Sequence, residues 1–251
     1  MFSFTIFKKA IKANYFLWSI VTLTTTLFLS TTLFAVNNLS SSGATLPGAN
    51  GNIFVLLDQT FFSMIGILLP LIYVVVVSNK LVAKEVDNGS LAFTLTTPVG
   101  RTRLIVSRAL FLFLFITLMF VILTAVGVTT ANVLGIDYEL STMLQLMSGL
   151  YFLELAFAGV AFLTSCIFNK TSLSLGLGVG ITLGMFLLST IGNLASELEG
   201  LKYLSFIQFY NVPSIIANNT NHLSNCMVLF ILFAGLSSVG IQIFLKKNLP
   251  L

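Results

Sequence analysis

Six stretches of this chain are long and apolar enough to cross a bilayer, and that removes most folds from consideration. A spanning helix needs about 20 mostly apolar residues. The runs at 15–36, 60–78, 104–128, 143–168, 172–194 and 226–245 meet or approach that length. They occupy more than half of the 251 residues, which leaves no room for a separate water-exposed domain of ordinary size. Only 8% of the residues are charged, and the mean hydropathy is +1.02. So few charges cannot cover a surface facing water, where about 25% is usual. The fold class expected is an all-α membrane protein with six transmembrane helices forming a single transmembrane domain over 1–251.

The placement of charge supports the helix count. Eleven of the 12 Lys and Arg fall on one side of a six-helix chain: Lys8, Lys9, Lys12, Lys80, Lys84, Arg101, Arg103, Arg108, Lys170, Lys246 and Lys247. Lys202 alone falls on the other, together with Asp58, Asp137, Glu139, Glu197 and Glu199. Positive-inside bias puts both termini in the cytoplasm, with the chain in the plasma membrane. The net charge of +4 therefore reads as topology and not as a nucleic-acid surface. The first apolar run is long for a signal peptide and no A-x-A site follows it, so an uncleaved helix is expected. Cys166 and Cys226 fall at opposite membrane faces, too far apart to bond, and are read as free thiols.

Along the chain, 1–14 reads as an amphipathic interfacial helix, with Phe4, Phe7 and Ile11 on one face and lysines elsewhere, or else as a frayed tail with snorkelling lysines. In the first helix Thr22, Thr26 and Ser30 form an i, i+4 row that lines a polar path or sits at a helix contact. Gly176, Gly180 and Gly184 recur every four residues, a small-residue face suited to helix packing. The segment 195–225 carries two apolar pieces too short to span, and an external surface or re-entrant helical pair is expected there. Glu154, roughly 11 residues into the fourth helix, is the one carboxylate deep in a span. It either lines a substrate pathway or is a neutral acid bonded to neighbouring hydroxyls. The single His222 reads as a solvated side chain. No Cys/His metal spacing and no catalytic constellation exists, so neither a metal site nor catalytic residues are expected.

The stretch 79–103 between the second and third helices is the most informative. Asn88 or Ser90 caps a short helix near 91–97 whose apolar face holds Leu91, Ala92 and Leu95, and Pro98 stops it. The alternative is a plain basic loop. The pattern Glu85-x-x-x-Gly89-Ser-Leu…Leu95-x-x-Pro98-Val-x-Arg101 resembles the permease subunits of ABC-2 type ABC transporters. That family carries an acidic residue, a Gly-Thr/Ser-Leu step and a Thr-Pro-Val-Ser-Arg run here. Gly100 departs from it, since Ser is usual. The resemblance extends to the six helices, the N-terminal interfacial helix and an external piece before the sixth helix.

The resemblance implies an ABC-2, type V exporter-like fold in which 79–103 holds a cytoplasmic coupling helix docking on a separate ATPase subunit. Leu91, Phe93 and Leu95 would be its buried anchor, and Glu85, Arg101 and Arg103 its polar rim. The sequence has no G-x-x-x-x-G-K-[ST] loop, so the chain is not expected to be an enzyme. ATP and Mg would be bound by the partner. A second permease chain, identical or not, would complete the transporter. The implied function is export of amphipathic peptides or toxins, antimicrobial peptides or drugs from a bacterial cell. The alternatives are a gradient-driven carrier or channel, or a membrane protein giving immunity by sequestering a peptide.

Overall fold

The computed structural model describes residues 4–41, 53–90, 100–194, 196–217 and 221–247, and these are almost entirely helical. In chain order they form α1 (Phe4–Ser41), α2 (Ile53–Leu57), a π turn (Asp58–Phe62), α3 (Ile65–Leu81), α4 (Ala83–Asp87), α5 (Arg101–Val133), α6 (Leu140–Ile167) and α7 (Thr171–Leu194). Two 3₁₀ segments (Ser196–Leu204 and Phe206–Phe209), α8 (Val212–Ile216) and α9 (His222–Lys246) follow. Among the described residues six spans are long and apolar enough to cross a membrane: α1, the interrupted Ile53–Asp87 run, α5, α6, α7 and α9. The chain is thus a multi-pass helical membrane protein.

α6, the fourth crossing, is the centre. Its apolar residues run all round it, and 78% of its most hydrophobic stretch is buried, against 22% for α7 and 28% for α9. Its neighbours are α9, α3, α7 and α5. Backbones come close through small residues. A Cβ added at Gly159 would lie 3.1 Å from Phe233 Cα and 3.2 Å from Leu236 Cβ on α9. One added to Gly240 on α9 would lie 3.4 Å from Leu163 Cα. Apolar lipid gives helices no hydrophobic reason to associate, so such close packing supplies much of the attraction.

α1 is one helix with no break at Asn14, so the expected interfacial helix is its first turns and not a separate element. No Gly or Pro lies between Phe4 and Ser41 to interrupt it, and the Asn14 amide turns back to its own backbone, donating to Ala10 O at 3.0 Å. At 38 residues it is about 57 Å long, well beyond a hydrocarbon core of about 30 Å. An aromatic seam zips it to α5. Phe7 meets Phe111 edge-on at 5.8 Å, Phe111 stacks on Phe115 at 4.3 Å, and Trp18 meets Phe115 at 5.5 Å. Trp18 Nε1 donates to Phe115 O at 2.9 Å, which satisfies a polar atom that lipid could not.

The expected glycine face makes no close contact among the described residues. A Cβ added at Gly176, Gly180 or Gly184 meets nothing within 4 Å, and Gly176 and Gly180 are exposed. The reason is orientation: α7 turns Gly178 inward, where an added Cβ would lie 3.2 Å from Thr164 Oγ1 and 3.4 Å from Val75 Cγ1. Substitution separates the two kinds of glycine. Gly159→Ala is expected to lower the stability of the detergent-purified protein by about 1–3 kcal/mol. Gly180→Ala should leave it within about 0.5 kcal/mol. Equal midpoints for the two variants in thermal unfolding would contradict this packing.

Candidate functional site

Helix ends on the side that gathers the basic residues are tied together by polar contacts around α4. The turn that closes α4 shows why its sequence reads Val86-Asp-Asn-Gly89: Asn88 N–H donates to Lys84 O and Gly89 N–H to Val86 O, both at 3.1 Å, with Gly89 at φ +67°. That left-handed backbone is the requirement for glycine at 89.

From α4, Glu85 Oε2 accepts from Arg108 Nη2 on α5. Arg108 is 3% exposed and Glu85 26%. Two residues on, Asp87 Oδ2 accepts from the Thr171 backbone N–H at 3.0 Å, placing a carboxylate at the start of α7 where the helix dipole favours it. Asn79 Nδ2 donates to Thr171 O at 3.1 Å, and Lys80 Nζ to Ala13 O at 3.4 Å. Lys247 Nζ donates to Cys166 O at 3.2 Å and also to Ile167 O, capping the end of α6; burial lowers the pKa of this ammonium. α4 therefore connects to α5 and α7 at the point where the chain enters 91–99.

Of the residues expected to couple to a partner, Leu91, Phe93, Leu95 and Pro98 lie outside the described residues. Arg101 and Arg103 stand in the first turn of α5, half-buried and exposed respectively. Glu85, expected on the polar rim, has its carboxylate on Arg108. The sequence reading did not bring out that pair. Its signal was present: a guanidinium within an apolar run requires a counter-ion.

Glu154 on α6 is 0% exposed, and neither carboxyl oxygen has a hydrogen-bond partner among the described residues. The hydroxyl partners expected of a neutral acid are not among them. Thr22, Thr26 and Ser30 each donate to a carbonyl one turn back, at 2.7, 2.9 and 2.9 Å, and Ser30 lies 3.5 Å from Thr130 Oγ1. Thr22 and Thr26 are buried.

The opposite end is closed by 196–217, which packs on α6 and α7. The Tyr210 ring lies on Gly149, where a Cβ would sit 2.8 Å from it. A cavity of about 450 Å³ opens there, lined among others by Asp58 of the π turn, Ser63 just after it, Asn193 of α7, and Lys202 and Gln208 of 196–217. Ser63 Oγ donates to Asp58. His222 is not simply solvated: it is half-buried, with Nε2 3.0 Å from Ser148 Oγ. Glu139, just before α6, accepts from Ser141 at 2.6 Å and Thr142 at 3.0 Å, and those bonds lower its pKa. Facing outward between α5 and α6 is an apolar groove of about 420 Å³ lined by Phe120, Val121, Met147 and Tyr151. Cys166 and Cys226 are both free. No group of three or more His, Cys, Asp or Glu side chains fit to hold a metal occurs among the described residues.

No family model matches the chain, and no curated protein matches it.

Three variants test these buried groups. Glu85→Gln strands a buried guanidinium and should lower stability by about 3–5 kcal/mol, whereas Glu85→Leu with Arg108→Leu should recover most of that loss. A double variant no more stable than Glu85→Gln would show that the pair is not the relevant contact. Glu154→Leu removes a buried, unpartnered polar group, and the unfolding midpoint should rise, by about 1–3 kcal/mol of stability. A fall would reveal a partner for Glu154.

Proposed function

We propose that this chain is the permease subunit of an ATP-driven exporter of the ABC-2 type, working with a separate ATPase. The observation that carries the reading is the position of α4. It leads directly into the segment whose sequence resembles a coupling helix, and it is tied to α5 through Glu85–Arg108 and to α7 through Asp87–Thr171. A push on 91–99 would thus reach two spans through these polar contacts. Leu91, Phe93 and Leu95 enter this proposal on the sequence alone, as the apolar anchor for the ATPase, with Arg101 and Arg103 at its margin. The segment is cytoplasmic in this reading, as are both termini of a bacterial plasma-membrane protein. ATP and Mg belong to the partner.

A second permease chain would complete the pathway, and the outward glycine face of α7 offers it a close approach. Amphipathic peptides or drugs are the substrate class that fits the apolar groove between α5 and α6. One observation favours a gradient-driven carrier instead: the second span is interrupted by the π turn, and broken helices mark ion-coupled sites.

Co-expression with candidate ATPases and purification through a tag on this chain separates the readings. The expected outcome is a stable complex whose ATP hydrolysis rises with amphipathic peptide, and whose assembly falls at least about tenfold with Leu91→Asp or Leu95→Asp. Substrate movement into vesicles driven by an ion gradient without ATP would overturn the proposal.

A further inference from the structure

The cavity of about 450 Å³ at the end of the bundle away from α4 is bounded by three elements: the second span, α7 and 196–217. Asp58 is the one acidic residue on its walls and Lys202 the one basic residue. Asp58 opens the π turn, and Ser63 N–H donates to Asp58 O at 3.1 Å to close it. Such turns within α-helices recur at functional sites. This one brings the Ser63 hydroxyl back onto Asp58, where it donates to Oδ1. Oδ2 has no hydrogen-bond partner among the described residues, yet it is not one of the enclosed polar atoms, so it keeps accessible surface. The carboxylate also stands near the wall made by Tyr210: burial, and after it the Asp58 charge, hold the pKa of the Tyr210 hydroxyl well above the usual phenol range.

Lys202 is not free, and it forms no ion pair with Asp58. A half-buried carboxylate without a counter-ion attracts a cation. A bare metal ion would need several oxygen ligands, and no metal-holding group of Asp, Glu, His or Cys occurs among the described residues. The walls instead carry Ile67, Phe186, Ile207 and Val212. Apolar side chains around one charged group, in a space of this volume, are the usual make-up of a small-molecule site. We infer that the cavity binds an organic ammonium, whose N–H groups donate to Asp58 Oδ2 while its apolar body lies against Phe186, Ile207 and Val212. A ligand so placed would hold 206–214 to α7 and to the π turn. This inference does not depend on the transporter reading.

The test uses the full chain in neutral detergent at neutral pH and low, constant ionic strength. It is titrated with three probes of similar shape: benzylamine, which is then cationic, benzyl alcohol and benzoate. Thermal unfolding and calorimetric binding are the readouts. Benzylamine should stabilise the protein at a concentration at least about tenfold below benzyl alcohol, the scale of one charge-assisted hydrogen bond, and benzoate should not stabilise it. Asp58→Asn keeps an acceptor for Ser63 and removes the charge, and should erase the preference for the amine. Asp137→Asn removes an exposed carboxylate that is not on these walls and should retain it. Lys202→Gln should not weaken it. Equal responses of the unaltered chain to the amine and the alcohol, a comparison that needs no variant, would overturn the proposal. So would an equal loss in Asp58→Asn and Asp137→Asn, since diffuse charge would then suffice. Sodium as effective as benzylamine would overturn the organic assignment and leave an inorganic cation. Stabilisation by benzoate that Lys202→Gln removes would overturn it in favour of an anion site.

Discussion

The close packing of α6 against its neighbours is the constraint on which the rest of the bundle depends. A helix enclosed on several sides must present a surface that lets other backbones approach, and it must do so without polar groups left to lipid. Gly159, flanked by Ala156, Ala158 and Ala161, supplies that surface, with Gly240 answering from α9. The outer helices can then be apolar outward at no loss, because lipid is as good a neighbour for Leu173 or Ile231 as protein is. Glu154, in the middle of this enclosed helix, is the exception, and a polar group kept there without a partner among the described residues is a natural place to look for function.

Polar contacts tie several helix ends together on the side that gathers the basic residues. The contacts around α4 show how few are required. One ion pair, one carboxylate on a helix N-terminus and two side-chain donors to backbone tie α4 and the end of α3 to α1, α5 and α7. In the permease reading, this makes the base of 91–99 a junction between spans instead of a free loop.

Much of this architecture was legible in the sequence, and the parts that were not share a cause. The six spans were readable because length and apolarity are local properties that the bilayer imposes. Their ends were less so: α5 runs to Val133 instead of 128, and the second span starts at Ile53 through a π turn that no residue pattern announces. The interfacial helix merged with α1 because amphipathicity does not break a helix where no Gly or Pro intervenes. The glycine rhythm on α7 marked a face without saying what it meets, whereas Gly159 and Gly240, with no rhythm, make the close contacts. The Glu85–Arg108 pair joins residues 23 apart across two helices, and only the fold brings them together. The proposed coupling helix, at 91–97, lies outside the described residues and stands on its sequence.

A bundle crossing the membrane six times places α4 and the 3₁₀ segments on opposite sides. Cysteine accessibility in intact cells measures it most directly. In a background of Cys166→Ser and Cys226→Ser, single cysteines replace Asn88, exposed just after α4, and Tyr203, 77% exposed in the first 3₁₀ segment. A membrane-impermeant maleimide should modify position 203 in intact cells and position 88 only after the membrane is opened. Modification of both from the same side would contradict the account.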